Sequence, residues 1–96
     1  MSDLAPTFIP KLHKKARLRF DRHSGKHMLI YPERGLELNE SATAIAKKCD
    51  GTRSIAQIID ELSAEFGDSS ETREAIHADV TTFLRDLRDK GLLVSQ

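Results

Sequence analysis

Apolar residues change their spacing once along this chain, and that change dictates what it can fold into. Ala16, Leu18 and Phe20, and later Leu36 and Leu38, recur at every second position, whereas from Ala42 to Leu87 the interval is three or four. Alternation puts one face of a strand in a core, and the longer period puts one stripe of a helix there. A small sheet laid down first must therefore be closed by helices that follow, because neither layer buries its apolar face alone.

Arg17, Arg19 and Asp21 alternate with the apolar set, so a first strand over residues 16–21 turns its charges to water. Ser24-Gly25-Lys26 reverses the chain. His27-Met28-Leu29-Ile30-Tyr31 returns as a second strand, and Pro32, which has no N–H, ends it. Leu36-Glu37-Leu38 alternates once more and predicts a short third strand with one unpaired edge.

Asn39 then caps a first helix carrying Ala42, Ile45, Ala46 and Cys49 on one face, stopped by Asp50-Gly51. Ser54-Ile55-Ala56-Gln57 fits a capping box, starting a second helix with Ile55, Ile58, Ile59, Leu62 and Phe66 inward and Gly67 as terminator. A third helix follows Asp68-Ser69-Ser70, buries Ile76, Val80, Phe83, Leu84 and Leu87, and ends at Gly91, after which Leu92-Leu93-Val94 folds back. The expected class is α+β: a small three-stranded antiparallel sheet followed by three helices, winged helix-turn-helix-like, as one domain over residues 16–96. Residues 1–15 follow neither period, and Pro6 and Pro10 bracket Thr7-Phe8-Ile9, so this stretch is expected to be a flexible N-terminal arm. On such an arm Phe8 and Ile9 either pack on a second copy, giving an arm-exchanged homodimer, or are disordered.

A chain of 96 residues supports one core, and Leu, Ile, Val and Phe make up a quarter of it, enough to fold. So small a core leaves little room for a deep catalytic pocket. The single cysteine excludes an intrachain disulfide and fits a reducing, cytoplasmic setting, and no apolar run is long enough for a signal peptide or membrane span. Net charge is zero, but residues 1–40 carry eight bases and five acids while residues 41–96 carry seven bases and ten acids. The neutral total is a cancellation between a basic half and an acidic half.

Cys49 falls on an apolar stripe, where a free cysteine acts as a small hydrophobe. His13, His23, His27 and His77 share no metal-ligand spacing with it, and no phosphate loop, nucleophile elbow or zinc-protease motif occurs. No catalytic residue, metal or cofactor is therefore expected. A winged-helix DNA-binding protein is the alternative, and charge argues against it. A recognition helix needs bases where it enters the groove, yet the third opens with Asp68, Glu71 and Glu74 and the second holds Asp60, Glu61 and Glu65. Basic residues cluster instead at positions 10–27, where Arg17, Arg19 and Arg22 form a candidate docking patch for an acidic protein partner. The third strand is a candidate acceptor for an added peptide strand, with a groove toward the third helix, unless that helix covers the edge.

Beyond these patterns, Leu29-Ile30-Tyr31-Pro32-Glu33, Leu36-Glu37-Leu38-Asn39-Glu40-Ser41-Ala42 and Asp50-Gly51-Thr52-Arg53-Ser54-Ile55 with Ile58-Ile59 closely resemble the PqqD family of pyrroloquinoline quinone (PQQ) biosynthesis. Phe83-Leu84 and Gly91-Leu92-Leu93 match it too, so the resemblance spans residues 16–94. Ala46-Lys47-Lys48-Cys49 departs from it, since the family more often has bulkier apolar residues before Asp-Gly. The resemblance implies a peptide chaperone that binds the precursor peptide PqqA and presents it to the radical-SAM enzyme PqqE, which crosslinks its Glu and Tyr. It implies that the peptide adds as a strand at Leu36, Glu37 and Leu38, beside helix-three residues Asp79, Phe83 and Arg85.

Overall fold

Capping chemistry sets where each helix begins. In the computed structural model, which describes residues 4–31 and 34–95, the Asn39 side chain accepts from the Ala42 N–H at 2.8 Å and opens α1 (Glu40–Lys48). Ser54 and Gln57 form the expected capping box at the start of α2 (Ile55–Phe66), which Gly67 ends at φ 122°. Ser69 caps α3 (Ser70–Asp89). That helix closes through Gly91 at φ 74°, with Gly91 N–H donating to Arg88 O at 3.0 Å and Leu92 N–H to Leu87 O at 2.8 Å. This paired arrangement satisfies the last carbonyls and needs the left-handed conformation that glycine adopts without strain.

Ahead of the helices, β2 (Arg17–Asp21), β3 (Lys26–Tyr31) and β4 (Arg34–Leu38) form an antiparallel sheet in that order, so β4 is an edge strand. The third strand is thus two residues longer than Leu36–Leu38, while the strand end expected at Pro32 lies outside the described residues. Register pairs Leu18 with Leu29 and Leu29 with Leu36, one apolar row pressed against the helices. Leu29 is fully buried at its centre, packed in one cluster with Ile45, Ile58, Leu62, Val80, Leu84 and Leu87. Sheet plus three helices is the α+β arrangement read from the sequence.

Two aromatic residues depart from that reading. Phe20 and Phe66 sit on apolar stripes, yet they are 56% and 51% exposed. Phe20 lies in the row Phe20–His27–Leu38 near the hairpin tip, past the part of the sheet that the helices cover, and rests edge-on against the His27 ring at 5.1 Å. Phe66 is the last residue of α2, a turn beyond the buried Leu62.

The N-terminal segment also differs from the flexible arm expected for it. Its described part is tied down, with β1 (Pro10–Leu12) pairing antiparallel with β5 (Leu93–Ser95) in a separate two-stranded sheet. Phe8 O accepts from Ile55 N–H at 2.9 Å and Pro6 O from Ala56 N–H at 3.0 Å, so the segment supplies acceptors for two first-turn donors of α2 that no intrahelical carbonyl can reach. Pro10 is buried, and Leu4, Phe8 and Leu12 pack on the core of their own chain. The first three residues lie outside the described part. Among the described residues no helix is long and apolar enough to cross a membrane.

Candidate functional site

An antiparallel ladder alternates pairs that exchange hydrogen bonds with pairs that do not. Only two residues connect Tyr31 to Arg34, which makes that facing pair the one that exchanges bonds, and by alternation Leu29–Leu36 and His27–Leu38 do so too. The backbone groups of Arg34, Leu36 and Leu38 are thereby used on β3. Those of Gly35 and Glu37 face the open edge.

Of the three strand residues singled out in the sequence, Glu37 therefore carries edge-facing backbone groups, whereas Leu36 is half-buried and Leu38, 3% exposed, is core. Gly35 was missed because the third strand was expected to start one residue later. The parity was legible in the length of the Tyr31-to-Arg34 connection.

Helix α3 runs with its Ile76–Val80–Leu84–Leu87 stripe in the core. Asp79 and Phe83, about one turn apart, share a flank: Asp79 lines a cavity of about 220 Å³ with Glu40, Ser41 and Ala44 of α1, and Phe83 is half-buried against the core. Further along the same flank Lys90 pairs with Asp86 and feels the Tyr31 side chain of β3, contacts that hold its ammonium above the usual range. Arg85 is two residues past Phe83, about 200° around the axis, so it is exposed on another side of the helix. Asp79 and Phe83 are thus brought to one flank, and Arg85 is not on it.

The arginine patch occupies the sheet face turned away from the helices. Arg17 stands across from the half-buried Ile30 and Arg19 from the half-buried Met28; both arginines are exposed, as is Arg22 just beyond β2. A Cβ on Gly35 would lie 3.3 Å from Met28 Cε and 3.6 Å from Ile30 Cδ1, so those side chains lean over the edge strand at its one residue without a side chain. Arginines and an apolar strip share this face.

The densest charge cluster has a structural role. Lys48 reaches Glu61 at 3.1 Å and Glu65 at 2.9 Å, and Arg53 Nε donates to both Glu61 oxygens at 2.9 and 3.0 Å. Asp50 accepts from the Thr52 hydroxyl at 2.6 Å and from Arg53 at 3.0 Å. Lys48, within the tract that departs from the family pattern, thus clamps the end of α1 to α2. The Lys48 hydrogen bond, with Arg53 beside it, holds the Glu61 carboxyl below its ordinary value of 4.5. A carboxyl depressed in the folded chain adds stability above its unfolded value and loses it as pH falls through the lower folded one. Melting temperature should therefore fall as pH drops below about 4.5, and Glu61→Gln should flatten that fall in a calorimetric pH series.

Cys49 is core, as expected. Its thiol donates to Ile45 O at 3.3 Å, and burial, aided by Asp50, pushes it up to about 12, so the nucleophilic thiolate does not form near neutrality. Among the described residues no three His, Cys, Asp or Glu side chains are grouped to hold a metal ion.

The family model described as "Coenzyme PQQ synthesis protein D (PqqD)" matches residues 26–93. A "PqqA binding protein" of Xanthomonas oryzae pv. oryzae is 42% identical over 94 residues, 97% of this chain and 98% of that protein. One of Rhodopseudomonas palustris is 42% identical over 84 residues, 88% of this chain and 79% of that protein. The solution structure of the PqqD truncation of Methylobacterium extorquens PqqCD, described as a stand-alone recognition element for ribosomally synthesized, post-translationally modified peptides, superposes with a TM-score of 0.79 at 33% identity, covering 96% of this chain and 95% of that one. The crystal structure of PqqD from Xanthomonas campestris gives 0.57 at 38% identity, covering 86% and 89%. A small α+β domain with a winged-helix arrangement and an open sheet edge is what the fold defines. The chain belongs to the PqqD family.

Proposed function

We propose that this chain is a peptide-binding adaptor of PQQ biosynthesis, working in the cytoplasm without chemistry of its own. It takes the precursor peptide PqqA as an added strand on β4 and presents it to the radical-SAM enzyme PqqE. The observation that carries this reading is the edge of β4, where Gly35 and Glu37 turn unused backbone groups outward. Relatives named for binding PqqA support the choice of peptide.

Energetics say what else the cleft must supply. Two residues offer at most about four backbone hydrogen bonds, and at about 1 kcal/mol net each these give only millimolar affinity. Tighter binding draws on side chains, and Leu36, Phe83 and the cavity beside Asp79 provide the apolar contact. Arg17 and Arg19, with Met28 and Ile30 between them and β4, form the face offered to PqqE, where opposite charge speeds encounter.

Titration calorimetry with synthetic PqqA tests the first half. Saturable one-to-one binding in the micromolar range is expected, and no binding at about 100 µM peptide overturns the reading. Reversing Arg17 and Arg19 to Glu should weaken capture of PqqE and leave PqqA affinity unchanged.

A further inference from the structure

The two exposed aromatic side chains meet at one place. Phe20 of the hairpin and Phe66 of α2 both line an open cavity of about 980 Å³, together with Lys26, His27 and Lys47. Its walls are the inner face of the β2–β3 hairpin tip, the junction of β4 with α1, and the end of α2. A small domain that leaves two phenylalanines half in water loses the burial free energy of each, so their convergence on a single opening calls for an occupant.

Charge and continuity indicate which occupant. Among the described residues Lys26 makes only a long, exposed ion pair with Glu37 at 3.8 Å and Lys47 enters none, whereas Lys48 and Arg53 nearby are engaged by Glu61. The opening thus combines apolar rings with Lys26 and Lys47 on a lining that also carries Glu37, Glu40 and Glu65. Glu65 is held by Lys48 at 2.9 Å and Glu37 lies 3.8 Å from Lys26, so Lys47 is the cation most open to an added carboxylate. It also adjoins the smaller cavity at the α3 flank, since Glu40, Ala44 and Phe66 line both. A chain leaving the Leu38 end of β4 passes over the start of α1 and reaches it.

We propose that this opening is a second peptide subsite, taking an apolar or aromatic side chain between Phe20 and Phe66 and a neighbouring carboxylate on Lys47 and Lys26. It rests on the strand-addition reading and extends it: the peptide segment beyond the added strand is acidic and apolar, and it wraps the start of α1. The site would contribute affinity and fix direction, because a peptide laid on β4 the other way would bring its other end here.

The probe is synthetic full-length PqqA titrated into the whole, isotopically labelled chain. Amide shifts are expected at Phe20, His27, Lys47 and Phe66 as well as at Gly35 and Glu37. Lys47→Glu should lower affinity at least fivefold, and Lys47→Ala less in the same direction. Lys14→Glu, the same charge change on an exposed residue outside the cavity lining, should have little effect. Shifts on β4 without shifts at the cavity, or equal losses from Lys47→Glu and Lys14→Glu, overturn the subsite and leave strand addition standing. No shifts on β4 at all overturn both.

Discussion

Replacing Glu37 with proline should weaken PqqA binding about thirtyfold while the domain stays folded. The register gives Glu37 an N–H that faces away from β3, so proline there removes no bond from the β3–β4 ladder. Proline is tolerated on an edge strand, and Leu36 before it is already extended, the conformation a following proline demands. The bound peptide, by contrast, loses a donor for one of its carbonyls and meets the ring where that donor stood. A lost hydrogen bond plus an acceptor left unpaired costs about 2 kcal/mol or more, which is the thirtyfold. Leu38→Pro is the poorer test, because that residue's N–H belongs to the ladder and its side chain to the core. Calorimetry on the folded Glu37→Pro variant decides the matter: wild-type affinity would show that the peptide does not add to β4.

The largest loss of stability is expected from Leu29→Ala. Leu29 is the central residue of the row Leu18–Leu29–Leu36, fully buried where the sheet meets the helices. Truncation removes its transfer free energy and leaves a cavity that a rigid sheet cannot close, at a cost of about 2 to 5 kcal/mol. A domain of this length has only about 5 to 14 kcal/mol in total. The urea midpoint should drop by about 2 M or more at unchanged slope. A drop below about 0.5 M would mean that the row is not the keystone of the packing.

The helices were legible almost to the residue because their signals are local. Asn39, Ser54 with Gln57, and Gly67 each satisfy backbone groups within three or four positions of themselves. The sheet was legible in its strands, and the candidate edge followed from Leu36-Glu37-Leu38. What the chain did not disclose in pattern is whatever depends on distant partners. The arm carries no period because its backbone bonds to the start of α2, to Cys49 and Gly51 beside the Lys11–Asp50 bridge, and to β5, more than eighty positions away. Phe20 and Phe66 obey the period of their elements and still lie outside, since a stripe says which side of an element is apolar and not how far the opposing layer extends. Asp79 and Phe83 share a flank because four residues make about one helical turn, and Arg85 does not share it because two make about half.

The pairing of β1 with β5 has a kinetic consequence. Bringing Pro10 beside Ser95 closes a loop of about 80 residues, an entropic cost of about 4 kcal/mol. Three residue pairs do not offset that from an open chain. The arm's other backbone bonds, to Cys49, Gly51, Ile55 and Ala56, close shorter loops but need the ends of α1 and α2 already in place, so the arm is expected to dock last and, by reversibility, to open first. Each opening strips α2 of the acceptors for Ile55 and Ala56, so amide exchange at those two positions should report the arm's departure while the rest of the helix remains protected.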